Sequence, residues 1–169
     1  MYSLSNFKLL VEKQAEIDTI YQHCAELKKT TVAPKIASEV QHFYARSIHH
    51  LEQQGFTVTV TSSKITAHYK KAFITIDKHS KDLEECIFIN LNNYVEDQLS
   101  IMLDIESLQF APISPSNQDG FSTILEQVND KLNYAKNLQS ACQMAKLLYK
   151  NNENKIFHCA EDVVNYYFK

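Results

Sequence analysis

The stretch from Phe56 to Ile105 decides the fold, and its first part, residues 56 to 77, reads FTVTVTSSKITAHYKKAFITID. Apolar and polar residues alternate in three successive runs, which begin at Phe56, Ile65 and Ala72. A period of two residues puts one face of a strand on a core and the other face in water. The pattern therefore predicts an antiparallel β-meander, with strands at 56 to 61, 64 to 70, 72 to 77, 85 to 91 and 99 to 105.

Helical patterns precede this meander. From Ser5 to Lys29 apolar residues recur at three- and four-residue steps on a narrow stripe, which is typical of a seam between two helices. A second pattern runs from Pro34, which suits a first helical turn, to Gln54, and Gly55 suits a helix end at positive φ. The short interruption at Thr30 and Thr31 predicts that the two helices form an antiparallel hairpin.

The C-terminal third is predicted to be helical. Pro112 and Pro115 break regular structure, and a long helix is expected to open at Asp119 or Ser122 and to continue to Tyr149. A short helix follows near the end, where the consecutive aromatic residues at 166 to 168 need a docking surface. We therefore expect one α+β domain over residues 1–169, with a helical hairpin at 1–54, a sheet of four to five strands at 56–105 and helices at 119–169.

The composition is that of an ordinary globular domain. Hydrophobic residues make up 44% and charged residues 22% of the chain, values that favour a self-contained core over disorder. No apolar run approaches the length of a membrane span, and the N-terminus lacks the pattern of a signal peptide. The predicted compartment is therefore the cytoplasm, with no membrane partner.

The four cysteines are widely and irregularly spaced, and each falls in an apolar pattern: Cys24, Cys86, Cys142 and Cys159. Disulfide frameworks and zinc sites use closer, paired spacings. The sequence therefore predicts reduced thiols, with Cys24, Cys86 and Cys142 buried.

The low number of glycine and arginine residues excludes several classes of function. The chain has two glycines, Gly55 and Gly120, whereas phosphate-binding loops and nucleophile elbows need several for close backbone approach. Arg46 is the one arginine, although arginine is the residue best suited to grip phosphates and base edges. Walker, Rossmann and α/β-hydrolase sites are thus excluded, and nucleic-acid binding is disfavoured.

Charge is separated along the chain. Residues 82 to 130 contain ten acidic residues and no lysine, arginine or histidine, although the whole chain has a net charge of −3. Residues 64 to 81 contain five lysines and one aspartate. A chance fluctuation on a solvated surface is one explanation. The other is a bipolar surface, in which basic hairpin tips contact an acidic partner and an acidic patch attracts a basic one. The predicted partner-binding residues are Glu84, Glu85, Glu96, Asp97, Asp104 and Glu106.

No constellation of catalytic or metal-binding residues stands out. His42 and His49 lie seven residues apart on the second helix, but Arg46 stands midway between them, which favours surface histidines over a zinc site. A nucleophile assembled from Cys142 and His158 is disfavoured because Cys142 lies on an apolar stripe. The sequence therefore predicts no catalytic residue, no metal and no cofactor.

The leading functional hypothesis is a non-enzymatic protein-binding module that engages a basic partner through its acidic surface, as an adaptor, a chaperone or a small inhibitor or immunity-type protein. Two alternatives stay open. One is a small enzyme or ligand-binding domain with a pocket between sheet and helices. The other is a nucleic-acid binder that uses the hairpin lysines with Tyr69 and Phe73. The polar faces of the first helix also permit a homodimer contact.

Overall fold

The computed structural model describes residues 3–81, 84–92, 94–105, 108 and 120–169, and the predicted break at Pro112 and Pro115 lies outside them. Four α-helices and seven strands in these ranges confirm the α+β class. The helices are α1 (Leu4–Leu27), α2 (Ala33–Gln53), α3 (Phe121–Met144) and α4 (Ala160–Tyr167). The strands are β1 (Thr57–Val60), β2 (Lys64–Tyr69), β3 (Ala72–Lys81), β4 (Glu84–Leu91), β5 (Val95–Leu103), β6 (Leu147–Asn151) and β7 (Ile156–Phe157).

The predicted turn between the first two helices is itself helical. A π-helical segment, Lys28–Val32, joins α1 to α2. Thr30 fits this segment because its hydroxyl donates to the carbonyl oxygen of Glu26 at 2.9 Å. Pro34 cannot donate a backbone hydrogen bond, and π turns occur where the regular hydrogen-bond ladder of a helix is interrupted. The predicted interruption at Thr30 and Thr31 is therefore itself helical, and the N-terminal part of the chain forms a long helical region.

The chain divides into two compact units. Unit 1 consists of Met1–Thr31 and Asp104–Ala145, and contains α1 and α3. Unit 2 consists of Val32–Leu103 and Lys146–Lys169, and contains α2, all seven strands and α4. The single domain expected from the sequence stays a prediction, because compactness does not measure whether the two units unfold together.

Unit 1 is a pair of parallel helices. Glu16 of α1 forms an ion pair with Lys136 of α3 at 2.9 Å. Eight residues further along α1, the thiol of Cys24 contacts the thiol of Cys142, which also lies further along α3. The buried positions on α1 are separated by three and four residues, as in a coiled-coil seam. The narrow seam predicted for the first helix is confirmed, with α3 as its partner. The buried seam residues are Ile17, Ile20, Cys24, Leu132, Ala135, Leu138 and Cys142.

The predicted burial of three thiols is confirmed. Cys24 and Cys142 lie in the seam of unit 1, Cys86 lies in β4, and all three are free. Burial raises the pKa of Cys24 and of Cys142, so both stay protonated at neutral pH.

Unit 2 contains one antiparallel sheet in the order β1-β2-β3-β4-β5-β6-β7, two strands more than the largest number predicted. The long helix expected to reach Tyr149 ends instead at Met144, where Ala145 adopts a left-handed conformation with φ of +45°. Residues 147–151 then pair with β5 as strand β6. Burial of Leu148 and Tyr149 in the sheet overrides their helical spacing, so the region predicted as C-terminal helices also contains β6 and β7.

The cross-strand register defines the inner face of the sheet, which is packed against α2. Ile65 lies opposite Ile76, and Ile76 lies opposite Ile89. Further along the same face Ile101 lies opposite Tyr149, whose ring is 6.5 Å from that of Phe43 on α2. Helix α4 packs in turn on α2, and Arg46 of α2 holds Glu161 of α4 at 2.9 Å. This inner face is the core of unit 2.

The seam of unit 1 can be tested by placing a charge in it. Ile17 is 2% exposed, so Ile17→Asp should bury an unpaired carboxylate and cost about 3 kcal/mol or more of stability. The exposed Gln22 offers a control on the same helix with the same added charge. Thermal melts followed by circular dichroism should show a lower melting temperature for Ile17→Asp than for Gln22→Asp. Equal melting temperatures would mean that this seam does not stabilise the protein.

Candidate functional site

Two of the predicted acidic residues, Glu85 and Glu96, lie far apart on the sheet. Glu85 lies opposite Ile101, whereas Glu96 lies opposite Asn90, five positions further along β4. Five residues of a strand span about 17 Å. Exposed charges are screened over about 8 to 10 Å at physiological ionic strength, so the electrostatic fields of Glu85 and Glu96 overlap little.

The remaining predicted partner-binding residues differ in their surroundings. Both carboxylate oxygens of Glu85 accept from the hydroxyl of Ser80, at 3.0 and 2.9 Å. Asp104 is half-buried in unit 1, Glu106 lies outside the described residues, and so does the side chain of Glu84. Among the predicted set, Glu96 is the one residue that the structure describes as exposed. A partner-binding role for these residues stays a prediction.

Asp97 does not have the solvated surroundings expected from the sequence. It is half-buried on the inner face of the sheet, in phase with the buried Leu99 and Ile101. One carboxylate oxygen accepts from the backbone N–H of Gln98 at 2.8 Å and of Asn152 at 3.4 Å. The other oxygen accepts from the Tyr167 hydroxyl at 2.5 Å and from the Asn151 side-chain amide at 3.3 Å. The carboxylate thus serves as an internal acceptor for four donors.

The four groups that donate hydrogen bonds to Asp97 come from separate elements of unit 2. Asn151 ends β6 and is 4% exposed, and its own side-chain oxygen accepts from the backbone N–H groups of Glu153 and Lys155. Tyr167 ends α4, and burial together with its bond to Asp97 raises the pKa of its phenol. One carboxylate therefore links β5, β6, the turn that follows β6, and the end of the chain's last helix.

A cleft of about 500 Å³ lies in unit 2 beside this network, and we call it the aromatic cleft. It is bounded by the end of α2, the β2–β3 hairpin, the end of β4 and the residues that end α4. Its walls are mostly aromatic and aliphatic, and include Phe56, Tyr69, Leu91, Tyr167 and Phe168. Clefts of this size and lining are typical of small-ligand sites.

The α4 wall of the aromatic cleft is held in place by two polar contacts. Tyr167 is fixed through its hydroxyl to Asp97. The next residue, Phe168, is 9% exposed, and its carbonyl oxygen accepts from a ring nitrogen of His50 on α2 at 2.9 Å. These two contacts make this wall part of the folded structure before any ligand arrives.

The sheet wall is also fixed by the fold. The side-chain oxygen of Asn92 accepts from the backbone N–H of Phe73 at 3.0 Å, and the backbone N–H of Asn92 donates back to the Phe73 carbonyl at 2.8 Å. Asn92 makes both contacts with a left-handed backbone, φ +57°, which asparagine tolerates better than most residues. The rings of Phe56 and Tyr69 lie 5.5 Å apart, so each supports the other.

Few groups at the aromatic cleft could take part in proton transfer or metal binding. His50 is the one histidine among its described lining residues, and its ring nitrogen already bonds to the Phe168 carbonyl. Nowhere in the described part of the chain do three or more His, Cys, Asp or Glu side chains form a group that could hold a metal ion. The aromatic and aliphatic lining suits the binding of an apolar or aromatic group.

A second, more open groove of about 540 Å³ also lies in unit 2, shares Lys169 with the aromatic cleft and is more polar. Lys155, His158 and Asp162 are among its lining residues. The Lys155 ammonium lies 3.9 Å from the ring centroid of Tyr166, so part of its positive charge is already satisfied by that aromatic face.

Comparison with models of protein families, with curated proteins and with solved structures finds no significant match to this chain. None of the helices in the described ranges combines the length and the apolar character needed to cross a bilayer.

Three buried or half-buried tyrosines of unit 2 predict a loss of stability in alkali. Burial raises the pKa of Tyr44, Tyr149 and Tyr167 above the usual value near 10. Their phenols then ionise first in the unfolded chain, so their contribution to stability is complete below pH 10 and decreases as pH rises above it. Urea unfolding at pH 9 and pH 11 should give a smaller loss for Tyr167→Phe than for the parent. The exposed Tyr94 provides the control: Tyr94→Phe should lose as much stability as the parent, and an equal loss in all three proteins would contradict the role of Tyr167.

Proposed function

We propose that this protein is a binding module that holds an apolar or aromatic ligand in the aromatic cleft of unit 2. The observation that carries the proposal is a cleft whose aromatic walls are fixed from both sides, by Asp97 and His50 on one and by Asn92 on the other. The proposal retains the non-enzymatic class expected from the sequence, and takes its site from the alternative of a ligand-binding pocket between sheet and helices.

Binding is favoured over catalysis by the chemistry of the lining. Catalytic groups need a proton donor or acceptor that is free to meet a substrate. His50 uses one ring nitrogen to hold the Phe168 carbonyl, so that nitrogen is not free to meet a substrate. Aromatic and aliphatic side chains, in contrast, gain free energy simply by covering apolar surface.

The expected affinity follows from the area that a ligand can bury. A body about as large as a tryptophan side chain buries about 200 Å², which corresponds to about 5 kcal/mol. That free energy is equivalent to a dissociation constant of about 0.2 mM before any polar contact is added. Binding should therefore be measurable by fluorescence or calorimetry, even with a ligand that matches only the apolar walls.

Recognition of a basic protein partner is the second candidate function. It is supported by the exposed Glu96 on β5 and by the excess of acidic residues between positions 82 and 130. In this case the protein would act as an adaptor, a chaperone or an inhibitor, as a monomer or as a homodimer. We also propose the cytoplasm as its compartment, which four free cysteines support.

Filling the aromatic cleft should abolish binding. Ala72 lines the cleft on β3, so Ala72→Trp should occupy its volume and weaken binding of the uncharged fluorophore phenyl naphthylamine about tenfold or more. His68 is exposed on the opposite face of the neighbouring strand, and His68→Trp adds the same side chain outside the cleft. Circular dichroism should verify that both variants are folded.

The truncation Tyr69→Ala provides a second measurement that does not depend on inserting a large side chain. Because the Tyr69 ring forms part of a wall, its removal should also weaken binding of the fluorophore. Equal dissociation constants for the parent, Ala72→Trp, Tyr69→Ala and His68→Trp would exclude the aromatic cleft as the binding site.

A further inference from the structure

The side-chain charge at the aromatic cleft is positive. Lys169 lines the cleft, and the Lys70 ammonium lies 5.3 Å from the ring centroid of Tyr69, which forms part of a wall. The described lining residues include no aspartate or glutamate. A negatively charged group at the mouth would therefore meet attraction from these lysines, with no side-chain carboxylate among the described lining residues to repel it.

The lysine-bearing β2–β3 hairpin, which we call the basic hairpin, brings this positive charge to the aromatic cleft. Tyr69 and Ala72 lie opposite each other across β2 and β3, and both line the cleft. Lys70 and Lys71 form the turn between them, so the two lysines lie at the rim. The segment with five lysines between positions 64 and 81 thus places its β2–β3 turn beside the aromatic cleft.

A cationic ligand is less well matched. Aromatic rings attract cations, but the Lys70 ammonium already lies over the Tyr69 ring. A second cation would be repelled by Lys70 and would find no carboxylate among the described lining residues to offset that repulsion.

A nucleobase is also less well matched than a hydrocarbon ring. Leu51, Ile74 and Leu91 are among the aliphatic side chains of the lining. The donors and acceptors at the edge of a base would be left unpaired against them, which costs free energy. A hydrocarbon aromatic body carries no such groups.

We propose that the ligand of the aromatic cleft is a small aromatic anion, with a one- or two-ring hydrocarbon body between the walls and a carboxylate or sulfonate head at Lys70 and Lys169. The inference rests on the proposed function and adds the charge of the ligand to it. It also gives the basic hairpin a role, as the element that selects a negatively charged head.

Two fluorophores with the same aromatic body test whether the aromatic cleft prefers a negatively charged ligand. Anilinonaphthalene sulfonate carries a negative head, and phenyl naphthylamine lacks it. The sulfonate should bind the intact protein about fivefold more tightly at low salt, since two exposed ion pairs each contribute modestly. The ratio of the two dissociation constants should approach one as salt is raised, because exposed charges are screened. Calorimetry should give one site per chain, and the fold should be intact by circular dichroism.

Lysine variants test which residues produce the preference for the sulfonate. Lys70→Gln combined with Lys169→Gln should remove the preference for the sulfonate, so that the dissociation constants of the two fluorophores differ by less than about twofold. Lys155 lies over the ring of Tyr166, outside the aromatic cleft, so Lys155→Gln is the control for a lost positive charge in the same unit. It should keep the preference.

The outcomes separate the inference from the function on which it rests. Equal binding of the two fluorophores, or a preference that Lys155→Gln removes as well, would overturn the charge assignment and leave the aromatic cleft as a binding site. Tighter binding of a single-stranded oligothymidine than of the sulfonate would assign the lysines to nucleic acid instead. Failure of both fluorophores to bind saturably would overturn the function and the inference together.

Discussion

Unit 2 depends on one carboxylate placed on the covered face of a sheet. A half-buried charge is costly unless donors surround it, and Asp97 meets this condition through two backbone N–H groups, an amide and a phenol. These donors come from β5, the region of Asn151 and Asn152, and the end of α4. Because all four donors bind to one carboxylate, the end of the sheet and the last described helix are fixed together, and Tyr167 has one place in which its hydroxyl is satisfied.

The aromatic cleft follows from that constraint. Tyr167 and Phe168 form its α4 wall, and they reach it only because Asp97 holds one and His50 holds the other. The opposite wall belongs to the sheet and is fixed by backbone contacts of Asn92. A cleft built in this way loses little conformational entropy on binding, since its side chains are ordered in advance. The same architecture explains why its one histidine is a structural donor.

Sequence reasoning succeeded where the determinants are local. Strict alternation from Phe56 to Ile76 specifies strands, and Gly55 adopts the positive φ, +84°, expected after a helix. It failed at β6, because the spacing around Tyr149 fits a helix and only pairing with β5 decides for a strand. The position of Asp97 could have been found, since it shares the phase of Leu99 and Ile101. The aromatic cleft could not, because its walls come from four distant segments that only the tertiary fold brings together.

The structural role of Asp97 is tested most directly by comparing two neighbouring carboxylates on β5. Asp97 and Glu96 carry the same charge on opposite faces of one strand, so Asp97→Asn and Glu96→Gln change the same chemistry inside and outside the core. Urea unfolding at neutral pH should give a loss of about 2 kcal/mol for Asp97→Asn, because bonds to a charged acceptor contribute about 1.5 to 3 kcal/mol. Glu96→Gln should stay within about 0.5 kcal/mol of the parent, as exposed substitutions do. Equal stability of the two variants would contradict the account and return Asp97 to the surface role first predicted for it.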